Sequence, residues 1–338
     1  MEVLGQLKFL LFSFLPDQFF SKLPVTHSDL SGRTFVVTGS NTGLGLATAI
    51  HLARMNPKHL ILAVRDVKKG NAAKDQIIAE TGFAGMLEIW ELDMVDFGSV
   101  KRFVGLANAK LERLDGAILN AGINVPSWDV TVDGWEKTFQ VNMLATGLLG
   151  VLLLPLLKRT ASLPPPHPYA PKILPHLTIT GSGAQFLALF REKAEPEILK
   201  ALNDESKSIK RDRYPTSKLL LILWAREMAS LSSAEGVIVN VADPGLCISS
   251  IGSEYKLGAF AMFLVRRVAW TVTKGALNLV YAVLKPTPSG AYISSCEIRQ
   301  TTPWSQSEDG MRVQKKVWNE MVDVWRKVSL EVEDIVKP

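Results

Sequence analysis

Cysteine is scarce in this 338-residue chain: Cys247 and Cys296 are the only two. Two thiols cannot build a disulfide framework, which fits a reducing, cytoplasmic setting. The five histidines, at positions 27, 51, 59, 167 and 176, show no metal-ligand spacing with Cys, Asp or Glu, so no metal is expected. Charge is sparing too, at 21% of residues with a net +5. The basic residues are scattered and not interleaved with aromatics, which argues against nucleic acid as a partner. Near the N-terminus residues 9–15 are apolar, but Pro16 and Asp17 end the run far short of the ~20 residues a membrane span needs. No small-residue cleavage pattern follows. A packed or interfacial helix is expected there, with peripheral contact to an intracellular membrane as one use of it. A second apolar stretch, 257–284, carries Arg266, Arg267 and Lys274 and reads as an amphipathic cover. No internal repeat interrupts the chain. Apolar residues are plentiful, at 47%, enough for a large core.

From residue 34 the pattern alternates short β-branched runs with longer helical ones. Strands are expected at 34–38, 59–64, 87–92, 116–119, 173–180, 237–241 and 291–294. Helices are expected at 44–55, 67–81, 97–110, 135–158 and 214–231. A terminal helix at 313–332 carries Val317, Met321, Val324 and Val328 as its buried stripe. Such βαβ alternation, with strands apolar on both sides, predicts a doubly wound parallel sheet covered by helices on both faces. Two stretches break the rhythm. Residues 161–175 hold six prolines and read as a loop. Residues 192–213 are a charged insertion. The expected division is an N-terminal apolar segment (1–30) packed on or beside the core, one α/β domain (31–300) with a substrate cover at about 246–287, and a C-terminal helical extension (301–338).

Two motifs carry chemistry. Thr38-Gly39-Ser40-Asn41-Thr42-Gly43-Leu44-Gly45 lies between the first strand and the first helix. There Gly39 permits a tight turn, Gly43 lets backbone approach a pyrophosphate, and Gly45 lets helix and strand pack closely. Unpaired N–H groups at a helix start are an anion site. Tyr214-Pro215-Thr216-Ser217-Lys218 places a phenol and an ammonium four residues apart, on one face of a helix. Together the motifs point to a nicotinamide-dependent oxidoreductase.

The chain resembles the short-chain dehydrogenases/reductases, and within them the retinol-dehydrogenase-like, NADP-preferring members. The matching residues, in order, are the glycine-rich turn, Arg65-Asp66 with Lys69-Gly70, Leu92-Asp93, Asn120-Ala121-Gly122, Val141-Asn142, Ser182, the Tyr214 motif, Pro244-Gly245 and Ser289-Gly290-Ala291-Tyr292. The resemblance implies a single Rossmann-type domain with a seven-stranded sheet, and commonly a dimer or tetramer; a homodimer is the partner state it suggests. It further implies that Tyr214, Lys218, Ser182 and Asn142 are catalytic. The implied cofactor contacts are Gly39, Ser40, Asn41, Thr42, Gly43, Leu44, Gly45, Arg65, Asp93, Asn120, Ala121, Gly122, Pro244 and Gly245, with Tyr214 and Lys218 beside them. A free phenol has a pKa near ~10, and positive charge from Lys218 and an oxidised nicotinamide would lower it. Tyr214 then acts as general acid or base. Ser182 would polarise the substrate oxygen, Lys218 bond the nicotinamide ribose, and Asn142 help hold a proton-relay water.

Four positions leave alternatives open, and Asp93, after the third strand, is one of them: it could instead cap the next helix. Thirty-one residues separate Ser182 from Tyr214, more than the family norm, and Thr180 is the competing hydroxyl. Asn142 could instead kink its helix through a backbone bond. At the end of the second strand Arg65 precedes Asp66, where NAD enzymes place a carboxylate. Arg65 fits a 2′-phosphate and Asp66 a helix cap, so NADP(H) is the expected cofactor. Apolar residues after Ser182 and after Gly245 predict a lipophilic ketone, aldehyde or alcohol, from retinoid-like lipids to terpenoids and polyketides. A biosynthetic tailoring ketoreductase is at least as well matched as a retinol dehydrogenase. A non-redox isomerase or cyclase on the same fold, or a nucleotide sensor without turnover, would share the cofactor site.

Overall fold

Thr34-Phe35-Val36-Val37-Thr38 offers no side that could face water, and in the computed structural model it is β1, buried along its whole length. The structure describes residues 3–171, 173–248, 251 and 265–337. β2 (His59–Val64), β4 (Gly116–Leu119), β5 (His176–Thr180) and β6 (Ile238–Asp243) are likewise buried throughout. With β3 (Met86–Glu91) and β7 (Ala291–Ser294) they form the parallel part of one sheet, in the order β3-β2-β1-β4-β5-β6-β7. An eighth strand, β8 (Glu297–Arg299), pairs antiparallel with β7, so the sheet exceeds the expected seven by one. Its three residues are all exposed, too few and too polar to leave a hydrophobic period in the sequence. Strand order reverses between β1 and β4. Crossovers therefore leave in opposite directions there and open a crevice at the carboxyl ends of the strands.

The helices Phe97–Lys110, Lys137–Ala161 and Arg213–Ala229 cover one face of the sheet. Gly43–Ala53, Val67–Thr81 and Val272–Leu284 cover the other. Lys137–Ala161 is apolar and long enough to cross a membrane by composition, yet it is almost wholly buried as a core helix. Its Gly147 admits the Trp325 ring, which would lie 2.4 Å from a Cβ there, and Trp325 Nε1 donates to the Leu144 carbonyl at 2.8 Å. This rotates the terminal helix Glu308–Val328 from the expected stripe. Trp318, Val322 and Trp325 are buried with Val313, Val317 and Met321, whereas Val324 and Val328 are only partly so. Two indoles reach further into the core than the valines could.

The charged insertion is an ordered excursion. Phe190 and Ile198 are buried, and the N–H groups of Ile198 and Leu199 donate to the Glu320 carboxylate of the terminal helix at 3.1 and 2.8 Å. Its return is fastened by Asp212, which accepts from Leu189 N (2.7 Å), Phe190 N (3.1 Å) and Thr216 Oγ1 (3.0 Å). Asp212 thus brings the two ends of the insertion together at the start of the Tyr214 helix. Part of the expected substrate cover, residues 249–250 and 252–264, lies outside the described residues.

At the opposite end of the sheet, Asp115 accepts from Arg33 Nη1 (3.0 Å), Arg113 Nη2 (2.6 Å) and Nε (2.8 Å), and the Thr34 N–H (2.9 Å). Arg33 and Asp115 are both 2% exposed. Asp115→Ala would strand a buried guanidinium and leave the first residue of β1 without its acceptor. A loss of about 3–5 kcal/mol in urea unfolding is expected. A loss below about 1 kcal/mol would show that the pair is solvated.

Candidate active site

The glycine-rich turn sits at the crevice. Gly39 has φ +63°, and a Cβ on it would come 3.0 Å from Ala121 Cα. Gly45 could not carry one, since it would lie 2.4 Å from the Gly39 carbonyl oxygen. Around Gly43 a Cβ would meet nothing within 4 Å, so this backbone borders open space. Thr42 makes no side-chain capping bond to the Gly43–Ala53 helix, which leaves first-turn N–H groups for a ligand. The turn is braced from β4: Asn120 Nδ2 donates to the Thr38 carbonyl (2.9 Å), and the N–H groups of Asn120 and Ala121 donate to Thr38 Oγ1 (2.9 Å each).

A cavity of about 460 Å³ runs over this turn, lined by Gly39, Asn41, Thr42, Gly43, Leu44, Arg65, Asp93, Asn120, Ala121 and Gly122 among others. Ten of the residues expected at a dinucleotide are thus gathered in one cleft. Ser40 does not line it; it is wholly buried, its hydroxyl without a partner among the described residues. Pro244 and Gly245 do not line it either. The Asp66 carboxylate caps the Val67–Thr81 helix by accepting from Lys69 N (3.1 Å), while Arg65 is exposed at the cavity. Asp96, not Asp93, caps the Phe97–Lys110 helix. These features fit a dinucleotide: an anion cradle at one end and a guanidinium at the other.

Beside this cleft the structure brings Tyr214, Ser182 and Lys218 together. The Tyr214 hydroxyl shares a hydrogen bond with the Ser182 side chain. Thr180 is directed elsewhere, its hydroxyl to Asn120 Oδ1 (3.5 Å) and its carbonyl to Lys218 Nζ (2.8 Å). Lys218 Nζ lies 5.6 Å from the Tyr214 ring centre. Asn142 sits in a π-helical turn, Gln140–Ala145. Its Oδ1 accepts from Ile123 N (2.8 Å), and its Nδ2 donates to the Ile123 carbonyl (2.9 Å) and to Ser217 Oγ (3.0 Å). Ser217 Oγ in turn donates to the Tyr214 carbonyl (2.8 Å). Asn142 therefore clamps the loop after β4 to the Tyr214 helix.

The electrostatics differ from the expected lowering of the phenol. Burial pushes Tyr214 up to about 12; the Ser182 bond opposes this, and the Asp243 carboxylate adds to it. Burial pulls Lys218 down to about 8, partly countered by Asp243. In the protein alone burial outweighs the ammonium, so Tyr214 is a fully protonated acid at neutral pH. Asp243 is a residue the motifs did not single out. Buried but bordering a cavity, its carboxyl is raised by burial although Tyr292 Oη donates to it (2.8 Å), as do the N–H groups of Gly245 (3.0 Å) and Gly183. The available signal was an acid immediately before Pro244-Gly245.

With this geometry in place, comparison with known proteins is informative. A family model described as short chain dehydrogenase matches residues 33–162. A short chain dehydrogenase/reductase of Cryptosporiopsis sp., dmxR8, is 37% identical over 320 residues, 91% of this chain and 95% of that protein. A short-chain dehydrogenase of Penicillium roqueforti, anuD, is 34% identical over 323 residues, 92% of this chain and 82% of that one. Among solved structures, a short chain dehydrogenase from Escherichia coli complexed with NADPH has a TM-score of 0.57 over 80% of this chain and 99% of its own, at 18% identity, a likeness of fold.

The lowered Lys218 has a consequence for stability. Between pH about 8 and its ordinary value of 10.5, the unfolded chain holds a proton that the folded one lacks, so this group makes stability rise with pH in that window. Wild type should gain on Lys218→Met by on the order of 3 kcal/mol from pH 7.5 to 10, read from urea unfolding. A difference that stays flat or falls would place Lys218 in a solvated environment.

Proposed function

Because the chain belongs to the short-chain dehydrogenase/reductase family, we propose that it is an NADP(H)-dependent oxidoreductase interconverting a hydrophobic ketone or aldehyde and its alcohol. The observation that carries this reading is the Tyr214–Ser182–Lys218 cluster beside a cleft with an uncapped helix start and Arg65 at its edge. The glycine-rich turn, Asn120-Ala121-Gly122 and Asp93 would hold the dinucleotide, and Arg65 its 2′-phosphate. Bound NADPH supplies the hydride. Ser182 holds and polarises the substrate oxygen, and Tyr214 delivers its phenolic proton to that oxygen as it becomes an alkoxide. Lys218 adds positive charge beneath the phenol, and Asn142 fixes the loop and helix between which both work. The NADPH of the bacterial fold neighbour is in keeping with this choice of cofactor. A tailoring reduction in the biosynthesis of a terpenoid- or polyketide-like compound is the setting we favour.

Two measurements test the assignment. Arg65→Ala should weaken NADPH binding roughly tenfold to a hundredfold, the loss of one charge-assisted hydrogen bond of ~1.5–3 kcal/mol, and spare NADH. Equal losses for both in a fluorescence titration would remove Arg65 from the 2′-phosphate. Tyr214→Phe should keep cofactor binding and lower turnover by ~10²–10⁴-fold, the usual contribution of general acid catalysis. A wild-type rate in that variant would move the non-redox reading to first place.

A further inference from the structure

A second cavity, of about 970 Å³, lies where the N-terminal segment meets Phe186 of the stretch after Ser182. That is at the upper end of the ~300–1,000 Å³ typical of small-molecule sites. Its base is Asp243 and Gly245, at the carboxyl end of β6. On one side stand Phe186, Trp270 and Trp304, from three separate parts of the α/β fold, and on the other Phe9, Phe12 and Phe14, from the N-terminal segment. Helix Val3–Phe9, the turn Leu10–Phe14 and helix Leu15–Phe20 make up that segment.

Among the contacts that hold the segment in place, two bear on the cavity. Phe9 stacks on Phe186 with ring centres 4.0 Å apart and planes 16° apart. It also reaches the residue after Ser182: a Cβ on Gly183 would lie 3.2 Å from the Phe9 ring. Gln18 is the second fastening. Although polar, it is only 5% exposed, and its amide is satisfied by distant backbone. Nε2 donates to the carbonyls of Leu246 and Val268 at 3.0 Å each, and Oε1 accepts from Leu246 N at 3.1 Å. The Gln18 carbonyl accepts from Trp270 Nε1 at 2.7 Å. A buried amide with its bonds made this way is a specific anchor, since each bond left unmade there would be costly.

Resting on the oxidoreductase reading, we infer that residues 5–18 form one wall of the substrate site and select for a large, ring-rich apolar carbonyl compound whose reacting end enters past Gly183. Seven aromatic side chains, Tyr292 among them, suit a polycyclic or extended conjugated skeleton. A sugar or a short-chain ketone would leave most of that apolar surface uncovered.

The test compares the full chain with Phe9→Ala and Gln18→Ala, using NADPH with 9,10-phenanthrenequinone or 2,3-butanedione, and separately a Nile red titration that needs no turnover. NADPH affinity checks that each variant is folded. Both variants should raise KM for the tricyclic quinone roughly tenfold more than for the four-carbon diketone, and should weaken Nile red binding by a similar factor. Equal KM changes for the two carbonyls, Nile red affinity unchanged by both substitutions, or no saturable uptake of Nile red by the full chain would each overturn the inference. If neither carbonyl is reduced while Nile red binding still falls in the variants, the wall stands and the oxidoreductase reading fails.

Discussion

One buried carboxylate sets the geometry of the catalytic edge. Asp243 collects the Tyr292 hydroxyl, the Ser294 hydroxyl and the N–H groups of Gly183 and Gly245. Those donors come from the loop after β5, the loop after β6 and strand β7, so the carboxylate continues, past the ends of the strands, the pairing that Thr180–Ala242 and Asp243–Ser294 make within the sheet. Ser182 inherits its place from the first of them and Gly245 from the second. An enclosed acid is costly unless its lone pairs are met by donors. The same enclosure gives it electrostatic reach, because its charge acts on both Tyr214 and Lys218 across a medium of low polarity.

Much of this was legible in the sequence. β1, β2, β4 and β7 begin and end where expected, because strands buried on both faces read as short, mostly apolar runs between turn residues. The glycines were readable for the same reason in reverse: Gly45 sits where any side chain would strike the Gly39 carbonyl. What escaped depends on partners distant in the chain. β8 is three exposed residues that pair only because β7 precedes them. The terminal helix turned toward its tryptophans because Gly147, far upstream, makes room for one of them. Gln18 carried no local sign of burial, since its bonding partners lie more than 200 residues away. Asp243 looked like one more acid in a loop.

The contrast between the two titrating residues of the motif is also instructive. Spacing alone places a cation near a phenol and suggests that the phenol should ionise readily. Enclosure reverses the order of effects: both groups are driven toward their neutral forms, Tyr214 upward and Lys218 downward. A site in this state holds a proton on the phenol firmly. Lys218 alone does not bring the phenol down toward neutral pH.

Asp212 has an implication for how this chain can vary. By accepting from Leu189 and Phe190 while sitting at the foot of the Tyr214 helix, it closes the excursion at its neck, so the intervening stretch transmits no tension to the phenol. For a loop closed in this way the entropy of closure grows only logarithmically with length, about 0.6 kcal/mol for each doubling. The exposed turns of the excursion can therefore change length at little cost, whereas Ile198 and Leu199, buried in the core and bonded to Glu320, cannot be dispensed with so cheaply. The unusual gap between serine and tyrosine is thus a second small packing unit, closed beside the helix that carries the phenol.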